Sequence, residues 1–172
     1  MPCTRLKNYL DEHNVKYVST YHSVAYTAQE IAAATHMSGW DLAKTVIVAI
    51  DGVLAMVVIP ASRLVSLSRL KEFTGAREVD VVHESDFRKA FPDCELGAMP
   101  AFGNLYGLPV YLDESLKATH LTFNAGTHRE LMSVNWDDFI DLVRPMTGRF
   151  LSSFGHISTS ADRTTHWSSL PH

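Results

Sequence analysis

Cysteine is scarce: two occur in 172 residues, Cys3 and Cys94, with no CxxC pair and no neighbouring ligand cluster. That argues against a disulfide framework and a cysteine zinc site, and makes a reducing cytoplasm the expected setting. No run reaches the ~18 apolar residues of a membrane span. The stretch MPCTRLKNYLDEH lacks the apolar core of a secretory signal, so neither a spanning nor an exported chain is expected. Basic residues are outnumbered, 15 Lys and Arg against 19 Asp and Glu, for a formal net charge of -4. This counts against a protein that holds DNA or RNA by a broad basic surface, because neutralised phosphates supply most non-specific affinity. A local grip on nucleic acid stays open.

The chemical motifs that are missing narrow the field further. GxSxG, GxGxxG and GxxxxGK[ST] are absent, and no paired carboxylates stand at recognisable spacing, which removes the usual serine elbow, dinucleotide loop and P-loop. Nine histidines are present, His13, His22, His36, His83, His120, His128, His156, His166 and His172, but without HxxxH or HExxH spacing. No metal site is therefore expected. Cys94 has nothing local that would lower its pKa.

What the sequence does contain is a globular composition, 46% hydrophobic and 20% charged, in a length that one core serves without staples. Leu6, Tyr9, Leu10 and His13 fall at helical spacing, and KYVSTYH alternates as a strand. Thr27 and Glu30 have capping-box spacing and open an alanine-rich helix expected to end near Gly39. AKTVIVAIDGVLAMVVIP holds two β-branched apolar runs around Asp51 and Gly52, a hairpin with a primed turn. The runs are nearly continuous in apolar residues, so cover on both sheet faces is expected. Residues 66–74 read as a helix stopped by Gly75, AREVDVV as a strand, and ESDFRKAF as a helix stopped before Pro92. LPVYLD, HLTFNA and RELMSV read as strands, and Trp136, Phe139, Ile140 and Val143 as one helical stripe. A hairpin mixed with helix-linked strands predicts an α/β (α+β) fold, a mixed, curled or barrel-like sheet surrounded by helices. Residues 1–150 read as a single domain and 151–172 as a Ser, Thr and His-rich tail.

Three places can carry chemistry. ELGAMPAFGNLYGLP, with Gly97, Gly103 and Gly107, can expose backbone N–H groups to an oxygen, or be no more than a rigid connection. Lys44, at the entrance of the most apolar strand, either snorkels to water or polarises a substrate. In FNAGTHRE, Asn124, Gly126, Thr127 and His128 supply short polar groups, or simply a turn.

Taken in order, HSVAYTAQEIA, DLAKTVIV, the Asp51-Gly52 hairpin, GAMPAFG, LPVYLD and FNAGTHRE resemble the YbaK/EbsC family of free-standing aminoacyl-tRNA editing domains, relatives of the editing insertion of bacterial prolyl-tRNA synthetase. The resemblance runs from about residue 3 to residue 145. It implies hydrolysis, without cofactor, of the ester joining a wrong amino acid to tRNA, typically tRNA for proline. It also implies that Lys44 is the lysine on which activity depends and Thr45 a polar pocket neighbour, with Gly97, Ala98, Pro100 and Gly103 in the substrate loop. Tyr21 and His22 fall at pocket-lining positions, and Asn124, Gly126 and His128 in the opposite wall. Many relatives carry a second proline where this chain has Ala101. The implied partner is the aminoacylated acceptor end of tRNA, with a synthetase or elongation factor aiding a protein of this charge. The alternative is a binding module of the same fold that recognises aminoacyl-tRNA or a synthetase without hydrolysis.

Overall fold

The structure, a computed structural model, describes residues 4–153. The central hairpin forms as its sequence predicts: β2 (Leu42–Ile50) and β3 (Val53–Pro60) pair antiparallel with Val46 opposite Val57. Asp51 and Gly52 turn the chain at φ 49° and 80°, the positive values that a primed two-residue turn requires. Asp51 does more than turn. Its Oδ1 accepts the Arg77 and Glu78 amides, both at 2.9 Å, and so ties the hairpin tip to the strand that follows.

Alternation along β3 sends Met56 and Val58 to one core and Ala55, Val57 and Ile59 to another, so both faces of the hairpin are covered. On the first face lie Leu6 and Leu10 of α1 (Thr4–Glu12), Phe87 of α4 (Glu84–Phe87) and Phe139 and Val143 of α5 (Trp136–Val143). On the second lies Leu70 of α3 (Leu67–Thr74), with Phe150. A third, smaller cluster joins Ile31 of α2 (Ala28–Thr35) to Leu42, Ala61 and Leu131.

The remaining strands are β1 (Tyr17–Tyr21), β4 (Val79–Val81), β5 (Val110–Asp113), β6 (His120–Asn124), β7 (Glu130–Asn135) and β8 (Met146–Gly148). They build an unclosed eight-stranded mixed sheet in the order β1-β7-β6-β2-β3-β5-β8, with β4 also on β2. The β2–β6, β3–β5 and β5–β8 pairs are parallel and the others antiparallel.

Two boundaries differ from the sequence reading. α2 stops at Thr35, where His36 takes a left-handed φ of 57° and returns its N–H to the Ala32 carbonyl. Gly39 has another use: a Cβ there would lie 2.7 Å from Ser62 Cβ, so only glycine permits this approach. At the other end the chain stays attached past Phe150. Leu151 bridges Val65, the Ser152 amide donates to the Leu64 carbonyl at 2.8 Å, and Arg63 reaches the Ser152 carbonyl. Residues 154–172 of the expected tail lie outside the described residues.

Among the described residues no helix is long and apolar enough to cross a membrane.

Candidate active site

The site originates in a split in the sheet. β6 pairs with β2 only at Leu42 and Ala43, and β4 pairs along the same strand only at Val48–Ile50. Between those points no strand of the described residues pairs with β2 on that side, and a cleft of about 1380 Å³ opens there, lined by Lys44, Thr45, Val46 and Ile47. Lys44 and Asn124 each follow the last parallel pair, Ala43 with Phe123. Residues side by side in register share a face, so both stand on the face opposite those two core residues. Thr45 takes the other face, and its Oγ1 donates to the Met99 carbonyl at 3.3 Å.

The loop that crosses the split is held by its ends. Gly126 donates its amide to the Ala98 carbonyl and the Glu95 amide reaches the Gly126 carbonyl, each at 2.8 Å. Glu95 Oε2 accepts the His128 amide at 3.0 Å, and His128 Nε2 lies 2.8 Å from the Leu96 carbonyl. A carbonyl can only accept, so Nε2 is the donor, and buried Nδ1 has no hydrogen-bond partner among the described residues. This clamp fixes Gly97 at φ +83° on the cleft wall. Among the described residues no acceptor takes the Gly97 or Met99 amide, and both residues line the cleft. Asn124, 9% exposed, also lines it, and its Oδ1 is buried without a partner.

Of the residues that the resemblance nominates, Lys44, Thr45, Gly97 and Asn124 therefore meet in one cleft. His128 stands directly behind Gly97, and Gly126 anchors the loop. Ala98, Pro100 and Gly103 are buried and do not line the cleft. At Gly103 a Cβ would lie 2.9 Å from Val110 Cγ2, so its smallness serves core packing. Ala101 is fully buried in the first core. Tyr21 does not line the cleft either: it is 65% exposed on an edge strand, and its hydroxyl accepts from Lys7 Nζ at 3.4 Å. His22 is half-buried; its amide donates to the Arg129 carbonyl, and its Nδ1 lies 2.6 Å from the Ser23 carbonyl.

Several lining residues carried no signal in the sequence. Tyr26 is one, and Ser66, Ser68, Arg69, Lys71, Arg77 and His83 form the side made by α3 and β4. Glu78, Asp80 and Glu84 share that side, so it is mixed in charge rather than a basic track. Cys94 is elsewhere, against Tyr106 at 3.2 Å, and burial pushes its thiol up to about 11. A thiol so placed is almost wholly protonated at neutral pH and is a poor nucleophile. Among the described residues no group of three or more His, Cys, Asp or Glu is placed to hold a metal ion.

Residues 22–142 match the family model of the aminoacyl-tRNA editing domain. Among solved structures, the chain is similar to a candidate trans-editing enzyme for prolyl tRNA synthetase, at 18% identity and a TM-score of 0.75, over 88% of this chain and 98% of that one. It is similar to a hypothetical protein at 16% identity and a TM-score of 0.77, over 86% of this chain and 99% of that one. A candidate signal transduction protein from Marinobacter aquaeolei VT8 matches at 17% identity and a TM-score of 0.67, over 95% of this chain but 35% of that one. At these identities the likeness shows the fold. The comparison with curated proteins returns no match.

Proposed function

The chain belongs to the aminoacyl-tRNA editing domain family, and from that premise we propose that it is a trans-editing deacylase, acting on tRNA for proline that carries a small wrong amino acid. The observation that carries this reading is the meeting of Lys44, Thr45, Gly97 and Asn124 at the split in the sheet. In the reaction, water attacks the ester carbonyl, the carbon–oxygen bond to the ribose breaks, and amino acid and free tRNA leave. The ester is already activated, so holding water and substrate in place and stabilising the developing oxyanion suffices.

Each part of the cleft has a task in that scheme. The Gly97 amide, with Met99 beside it, donates to the oxyanion. Lys44 supplies a positive charge to the carbonyl or to the terminal phosphate, a role that suits a compact ammonium at the edge of an apolar strand. Thr45 and the 95–98 clamp hold the loop at a fixed distance from β2. A protein nucleophile is not needed, and Cys94 is not used.

The choice of tRNA for proline rests on the likeness to the prolyl candidate and on the resemblance to the YbaK/EbsC family, whose members are relatives of the prolyl-tRNA synthetase editing insertion. We place the activity in the cytoplasm, with a synthetase or elongation factor delivering the substrate. Incubating the purified protein with mischarged tRNAs tests the whole reading. Release of alanine or serine from tRNA for proline, with the correctly charged tRNA spared, is the expected result. Binding without release on every substrate would favour a non-catalytic module of the same fold.

A further inference from the structure

Tyr26 is a large ring left 64% exposed at the cleft. It is not loosely placed. Its amide donates to Glu30 Oε2 at 2.6 Å, inside the capping box that starts α2. The preceding residue, Ala25, is buried and bonds the His128 carbonyl at 3.1 Å. The ring packs on the His128 imidazole, with centroids 4.6 Å apart and planes at 45°. His128 is itself 7% exposed and fixed at two points, its amide on Glu95 and its Nε2 on the Leu96 carbonyl. The same cleft is also lined by Ile31, Leu42 and Ala61, which share a buried apolar cluster with Ala25, the residue before Tyr26.

An aromatic ring backed on one side by an imidazole and left exposed at a cleft with apolar lining suits a flat π-system, because stacking on it removes apolar faces from water. The aminoacyl ester supplies one. Every tRNA ends in adenosine and carries its amino acid on that ribose, so an ester held near Lys44 and Gly97 brings an adenine within one nucleotide of them. We propose that Tyr26, backed by His128, is the stacking platform for the terminal adenine of the tRNA 3′ end. This inference rests on the reading of the cleft as an aminoacyl-ester site. It gives a chain of net charge -4 a source of affinity for the acceptor end that does not depend on basic residues, and one that salt weakens little.

The test uses the full chain and a short deacylated RNA ending in CCA, with 2-aminopurine in place of the last adenine. Wild type and Tyr26→Phe quench the fluorophore. Tyr26→Ala and Tyr26→Leu lose the quenching, and their affinity falls by roughly 5- to 150-fold, the range of one lost base–aromatic stack. In hydrolysis of mischarged tRNA the same two variants raise KM more than they lower kcat. Quenching by Tyr26→Ala equal to wild type overturns the proposal, as does absence of quenching by wild type or a Tyr26→Phe loss as large as that of Tyr26→Ala. Failure of wild type to hydrolyse any mischarged tRNA, with quenching that depends on Tyr26, would sink the deacylase reading and leave the base platform standing.

Discussion

His128 stands directly behind Gly97: a Cβ added to Gly97 would lie 3.4 Å from His128 Cε1. That distance is ordinary van der Waals contact, so the histidine does not forbid a side chain there. The backbone does, because Gly97 sits at φ +83°, where an L-residue costs about 1–2 kcal/mol. Gly97→Ala is therefore expected to turn the amide off the cleft or to strain the loop. We predict roughly a tenfold drop in kcat/KM with a Tm lowered by a few degrees, measured by deacylation and thermal melts. Full activity would mean that the Gly97 amide has no part in the chemistry.

Lys7 and Glu130 form the most consequential ion pair away from the site. Nζ and Oε1 lie 2.8 Å apart, and the Glu130 side chain is only 5% exposed. Lys7→Met leaves that carboxylate buried without its partner and is expected to cost about 2 kcal/mol, less than a fully enclosed pair because Lys7 keeps some water. The double change Lys7→Met with Glu130→Leu should recover part of the loss. The hydrogen bond to Glu130 is the main cause that raises the Lys7 pKa. A raised ammonium pKa stabilises below the ordinary lysine range of about 10.4 and stops doing so as pH climbs through the folded value. Between pH 7 and 9 this pair should thus contribute a constant amount, and melts of the wild type and Lys7→Met should stay separated by the same interval.

Cys94 offers a test that the catalyst uses no thiol. With its pKa pushed up to about 11 by burial, its thiolate fraction at pH 8 is on the order of a hundredfold below that of an ordinary cysteine. Alkylation of Cys94, followed by mass spectrometry, should lag correspondingly and accelerate only as pH approaches 11. Cys94→Ala should deacylate at the wild-type rate, and loss of activity in that variant would contradict the scheme.

The C-terminal boundary can be tested by two truncations. Ending the chain after Ser153 is expected to leave the melt and the hydrolysis nearly intact. Ending it before Leu151 removes the bridge to Val65 and the Ser152 bonds to Leu64 and Arg63, and should lower Tm by several degrees. Loss of activity at unchanged stability in the first truncation would give residues 154–172 a role in the reaction.

What the sequence announced was local. Thr27 with Glu30, Gly75 after α3, and Asp51-Gly52 each act within a few residues, so the capping box, the stop of α3 and the hairpin turn could be read directly. Long-range choices left little trace. β8 is three residues long and owes its place to Tyr111, Leu112 and Asp113, more than thirty residues earlier. The parting of β6 and β4 along β2, which opens the cleft, depends on pairings between distant segments. Tyr26 gave no signal because an aromatic before an N-cap looks like any loop residue until its ring is seen against His128. In the glycine and proline loop the residue types were informative but not their directions. Gly97 faces the cleft, whereas Ala98, Pro100 and Gly103 are spent on packing.

The most direct measurement is deacylation of mischarged tRNA for proline by wild type and by Lys44→Ala, with thermal melts of both. Lys44 lines the cleft beside the hairpin and is half-buried, so its removal opens no large cavity and the melts should differ by a few degrees at most. If its charge stabilises the transition state, the rate should fall by about a hundredfold or more, the scale of one lost oxyanion contact. Turnover by Lys44→Ala close to that of wild type would contradict the assignment of this cleft as a lysine-dependent deacylase.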